Sequence, residues 1–152
     1  WNCAKPDKTK ALKSKPEFYF KMKSVDRGRF LVKKLGCNDC HTPGYQKGKS
    51  VPEEDWLTGG NLGFRDPSGT TYPTNLRLLL NSMSEDEWTV FAREMRQNVP
   101  MEYVLLPRAS EHDLRAIYQF VKYLGPKGHP APSRLPAGAT PTTEYIEFPY
   151  VH

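Results

Sequence analysis

The sequence predicts an all-α fold of three to four helices, preceded by an extended N-terminal arm and followed by a Pro-rich extended tail. Three observations predict it. Apolar residues recur at i, i+3, i+4 and i+7 in three separate windows. These windows carry helix start and stop signals. The chain between them is dominated by loop breakers, with no visible βαβ pattern and no internal repeat.

Residues 1–24 read as a basic arm. Lysines at 5, 8, 10, 13, 15, 21 and 23 alternate with small or polar residues, and only Phe18, Tyr19, Phe20 and Met22 offer surface to bury. Residues 25–36 read as the first helix, with Gly28, Leu31, Val32 and Leu35 on one stripe. Ser24 is placed to cap it and Gly36 to end it. A glycine inside a helix costs about 1 kcal/mol against alanine, a cost that a closely crossing second helix would justify. Residues 37–73 carry Thr42-Pro43-Gly44, Gly48, Pro52, Gly59-Gly60, Gly63, Pro67, Gly69 and Pro73. So long a segment without periodicity is expected in a compact domain only if it wraps something.

Residues 74–82 suggest a short helix around Leu76, Leu79 and Leu80. Residues 84–97 read as a helix opened by a Ser84–Glu87 capping box, with Trp88, Phe91, Ala92 and Met95 as its stripe. Residues 110–124 form another. Ser110 caps it, with Asp113 at the third position. Leu114, Ile117, Tyr118 and Val121 make its stripe, and Gly125-Pro126 stops it. Residues 126–152 hold six prolines and read as extended. The domain organisation is thus an arm at 1–24, a helical domain at 25–126 and a tail at 127–152.

Composition explains why such a chain needs help. Only 38% of the 152 residues are hydrophobic, against 14 prolines and 11 glycines, and mean hydropathy is −0.68. The side chains alone make a thin core that something else must supplement. The absence of an 18-residue apolar run removes a membrane-spanning helix, and three cysteines are too few for a disulfide-rich scaffold. The net charge of +5 is uneven. Residues 1–34 hold 11 Lys+Arg against 3 Asp+Glu, a net of +8, whereas residues 35–152 hold 11 against 14, a net of −3. Basicity belongs to the arm, so the charge does not point to nucleic acid.

Cys37-Asn38-Asp39-Cys40-His41 decides the chemistry. C-x-x-C-H is the attachment spacing of c-type haem. Two thiols three positions apart can form thioethers to two vinyl groups on one haem edge, and the next residue offers an imidazole to the iron. At this composition about 0.0015 accidental occurrences are expected. A redox disulfide normally accompanies a βαβ pattern, and a zinc site needs further ligands at zinc spacing, whereas His112, His129 and His152 are scattered.

The sixth ligand is sought among four methionines. Met95 lies on a helix stripe and reads as core, Met83 directly precedes a cap and Met22 lies in the arm. Met101 follows Pro100 in a loop between two helices, a placement suited to holding a thioether toward a metal. Its plain alternative is a loop methionine that fills a gap.

At these residues the chain resembles the class I c-type cytochromes. It is similar to bacterial mono-haem members and to the haem domains of dehydrogenase cytochrome c subunits. The resemblance rests on Gly28-Arg29-Phe30-Leu31-Val32, Gly36 through Gly44, Leu57-Thr58-Gly59-Gly60, Tyr72-Pro73-Thr74-Asn75-Leu76, Pro100-Met101, and Asp113 through Phe120. It implies one haem c held through Cys37 and Cys40, with His41 and Met101, 60 positions apart, as axial ligands. It also implies that the first and last helices cross, with Gly28, Phe30 and Tyr118 at the crossing. Pro52, by family spacing, is expected to offer its carbonyl to the second imidazole nitrogen. Trp56, Tyr72 and Asn75 are candidates for the haem propionates, with loop anchoring as the plain alternative. Leu62, Phe64, Leu79 and Leu80 are expected on the apolar wall. Glu102 and Tyr103 depart from the family, which often carries a second proline and a tryptophan there.

The expected function is single-electron transfer between Fe(II) and Fe(III), not enzymatic catalysis. The alternatives are a haem enzyme or gas sensor with a labile sixth ligand, and the cytochrome subunit of a larger dehydrogenase. The expected partners are redox proteins in transient complexes. The lysine arm would steer an acidic partner or meet an anionic membrane surface, and no nucleic-acid partner is expected. Haem is joined to such proteins outside the cytoplasm, so a periplasmic or otherwise exported location is expected. The start at Trp1 is read as a processed end with an export signal removed. Cys3 is left over, as a bystander or a reactive thiol.

Overall fold

The computed structural model describes residues 23–95, 101, 104 and 106–148. Of the arm expected at 1–24 only Lys23 and Ser24 fall among them; Cys3 and the last four residues of the tail lie outside.

Helix α1 spans Ser24–Lys34. Ser24 is its first residue rather than its cap, a position held by Lys23, which makes no side-chain capping bond. The one-turn helix α2, Cys37–His41, follows at once after Gly36, whose φ is +71°. Helix α3 covers Leu76–Asn81, α4 Glu85–Glu94 and α5 Glu111–Leu124. The Ser84–Glu87 capping box of α4 forms in both directions, and Ser110 accepts from the Asp113 N–H to open α5.

The core is the crossing of α1 over α5. A Cβ built on Gly28 would lie 2.0 Å from the Ala116 carbonyl oxygen and 2.6 Å from Phe120 Cβ. Only a residue without a side chain lets the two backbones come this close. The ring at the crossing is Phe120, fully buried and edge-on to Trp56. Phe30 is partly exposed, and the Tyr118 hydroxyl donates to the Met83 carbonyl beside α4. Arg27 is buried and pairs with Asp113 at 2.6 Å, tying α1 to the first turn of α5. Buried Arg77 donates to the Leu124 and Gly125 carbonyls at the other end of α5, and to the Glu54 and Trp56 carbonyls. It thereby satisfies carbonyls that a helix end leaves without partners.

The all-α expectation is overturned. Five α-helices accompany a four-stranded mixed sheet among the described residues, so the chain is α/β. Strands β1 (Gly63–Asp66) and β2 (Gly69–Thr71) form an antiparallel hairpin around Pro67-Ser68. Asp66 Oδ1 accepts from the Ser68 N–H, an Asx turn. Strands β3 (Leu135–Pro136) and β4 (Tyr145–Glu147) come from the tail. β3 pairs antiparallel with β2, and β4 pairs parallel with β1, giving the order β3-β2-β1-β4. The tail is extended, as its prolines imply, but it folds back over the domain. Pro136 fits because β3 is an edge strand. Gly69 fits because a Cβ there would lie 2.1 Å from the Leu135 carbonyl oxygen. Strands of two to four residues are too short to show a period of two, which is why the sequence did not reveal them.

Candidate functional site

The Cys37–His41 turn is held by the segment 56–59. The Thr42 hydroxyl donates to Asn38 Oδ1 at 2.7 Å and accepts from the Leu57 N–H at 2.8 Å. The Gly59 N–H donates to the His41 carbonyl at 2.8 Å. Leu57 is fully buried at φ +62°, a left-handed conformation that costs a leucine about 1–2 kcal/mol. Strain of this kind persists only where the surroundings over-determine it.

His41 Nδ1 lies 2.7 Å from the Thr74 carbonyl oxygen. A carbonyl only accepts, so Nδ1 carries the proton and Nε2 keeps its lone pair. Burial pushes the His41 pKa below its ordinary value, partly offset by the Thr74 bond, so the imidazole is neutral at neutral pH. Burial likewise pushes the Cys37 thiol up to about 12 and raises Cys40, to which the Asp39 charge adds. Thiols of redox C-x-x-C pairs are shifted the other way. Among the described residues no group of three or more His, Cys, Asp or Glu side chains gathers as a metal site, so the zinc reading lacks its ligands.

Cys37, Cys40 and His41 line a cavity of about 390 Å³, within the usual range for ligand pockets. Phe64, Tyr72, Leu79 and Met101 line the same cavity, as expected from the sequence. Five expected residues do not. The Pro52 carbonyl accepts from the Asp55 N–H, and the imidazole bond assigned to it goes to Thr74 instead. Trp56 is buried between Tyr45 and Phe120 and donates to the Val51 carbonyl. Asn75 caps α3 and donates to the Lys127 and His129 carbonyls, clasping the start of the tail. Leu62 is half-buried outside the lining. Leu80, also expected on the wall, is core.

No protein-family model, curated protein or solved structure matches the chain.

The cavity also holds residues that the sequence did not single out as pocket. Met95, expected in the core, lines it beside Trp88 and Phe91. The stripe identified the buried face of α4 but not what that face covers. Trp88 is additionally fixed by its Nε1 donating to the Leu114 carbonyl at 2.8 Å. Pro132 and Arg134 reach the cavity from the tail. The residues present fit a covalently held haem: paired thiols on the wall, a neutral imidazole with a bound Nδ1, two thioethers, and otherwise mainly apolar side chains.

Proposed function

We propose that this protein is a single-haem c-type cytochrome that carries electrons rather than catalysing a reaction. The observation that carries the reading is the His41 imidazole. It follows the two cysteines directly, stands at the cavity wall and is locked by Thr74 so that Nε2 is available to a metal. When bound, haem supplies a one-electron Fe(II)/Fe(III) couple, whose potential a methionine ligand raises. The protein does the rest. Cys37 and Cys40 hold the group covalently. His41 and Met101 would complete six ligands in both oxidation states, so that little moves when an electron does. Trp88, Phe91, Leu76 and Leu79 give the group an apolar wall.

Protein isolated from a host able to attach haem c is the test. A pyridine haemochrome spectrum should report one covalent haem per chain. The reduced protein should not bind CO rapidly at neutral pH, because its sixth position is filled. Rapid CO binding would favour a sensor or enzyme instead, and absence of covalent haem would end the proposal.

The proposal extends to partners and location. Redox proteins would dock transiently, helped by the lysines of residues 1–24. Removing that arm should then flatten the dependence of electron-transfer rate on ionic strength. Haem attachment places the mature protein outside the cytoplasm, and among the described residues no helix is long and apolar enough to cross a membrane.

A further inference from the structure

A haem carries two propionate carboxylates, and an apolar cavity holds a carboxylate only where a cation or strong donors meet it. Among the described residues, one permanently charged side chain lines the cavity, that of Arg134. It comes from the tail, a part of the chain to which the sequence assigned no role in the site.

The sheet explains how it gets there. Thr70 pairs with Leu135 and Gly69 with Pro136, so the same register sets Arg134 beside Thr71. Thr71 in turn pairs with Phe64. Residues in register share one face of a sheet, and Phe64, Thr71 and Arg134 all line the cavity. Asn75 clasps the tail upstream at Lys127 and His129. Arg134 is exposed at the rim, where its Nη2 donates to the Ser68 carbonyl at 2.6 Å and to Ser68 Oγ at 3.0 Å. A guanidinium has five N–H donors in a fixed fork, so those two bonds position it and leave others for an anion. Tyr72, also on the wall, accepts from the Thr143 hydroxyl at 3.3 Å and keeps its own O–H to donate.

We propose that Arg134 is the cationic anchor of a haem propionate, with Tyr72 as a neutral donor beside it, so that the C-terminal segment is a working wall of the site. The inference rests on the haem reading above. A fixed cation at the haem rim favours the less positive ferrous state and so raises the reduction potential.

The test uses full-chain holoprotein and reads the reduction potential. Arg134→Gln should lower it, Arg134→Lys should keep most of the wild-type value, and Arg93→Gln, exposed on α4 and outside the lining, should leave it unchanged. If Arg134→Gln accumulates no holoprotein, recovery in Arg134→Lys supports the anchor, and loss in both overturns it. A wild-type potential in Arg134→Gln, or an equal fall in Arg93→Gln, also overturns it while leaving the haem reading intact. Wild-type protein without covalent haem sinks both.

Discussion

His41 Nδ1 lies 2.7 Å from the carbonyl oxygen of Thr74, 33 positions later in the chain. That bond joins the attachment turn to the segment leading into α3 and fixes which imidazole nitrogen keeps its lone pair. It also explains why the sequence is a poor guide to this contact. A carbonyl acceptor leaves no mark on residue type, since every residue has one.

Two methionines share the cavity with His41, and only one is expected to reach the iron. Met101→Ala should abolish the far-red band of a methionine–iron bond in the ferric protein, whereas Met95→Leu should retain it. Both pack against the core, so the choice rests on position: Met95 ends α4, its backbone N–H donating to the Phe91 carbonyl, whereas Met101 falls between α4 and α5 in the chain. Absorption spectra of the two variants check this, and the reverse pattern would reassign the ligand.

Gly28→Ala sets two effects against each other. Helix propensity alone would stabilise α1 by about 1 kcal/mol. Overpacking a core costs about 1–3 kcal/mol and sometimes more. With a backbone oxygen 2.0 Å from the new Cβ, the collision wins, and we expect a net loss of about 2 kcal/mol. Denaturant midpoints decide it, and a stabilised variant would show that the crossing is looser than described.

Glu87 gives an acid limb to the stability of α4. Its carboxylate accepts from the Ser84 N–H at 2.7 Å, and the two-way bonding with Ser84 holds its pKa below the usual carboxylate range. The folded pKa is depressed, so the contribution is present above the unfolded value of about 4.3 and is lost as pH falls through the folded value. Glu87→Gln should therefore melt earlier than wild type at pH 7, with the gap closing below about pH 4. A gap independent of pH in thermal melts would exclude this role.

The chain without haem should be largely unfolded. Without haem, the mainly apolar walls of the cavity, Leu76, Leu79, Trp88 and Phe91 among them, would face water instead of the group. Small domains are stable by only roughly 5–15 kcal/mol, so losing that burial weighs heavily. Circular dichroism of the Cys37→Ala, Cys40→Ala chain made without haem should show little helix. Native-like helicity would contradict the view of haem as a missing part of the core.

Much of this was legible in the residues. The stripes around Trp88 and Leu114, with Ser84 and Ser110 as caps, identify α4 and α5 because a helix is local: its hydrogen bonds and its caps lie within four positions. Gly28 signalled the close crossing because its cost demanded a reason. Cys37, Cys40 and His41 fall within five positions, so local geometry alone puts them on one helical turn.

Tertiary structure decided what is non-local. Asn75 and Trp56 offered polar groups fit for propionates, and the fold used them to clasp the tail and to fill the core. Pro52 lost the imidazole to Thr74. The sheet arises from the approach of segments about 65 to 85 positions apart, allowed by Gly69 and closed by two- and three-residue strands. Residue types can state which donors and apolar faces exist. Which of them meet is fixed only when the tail closes over the hairpin, because backbone pairing between distant segments depends on register and space rather than on any periodic pattern.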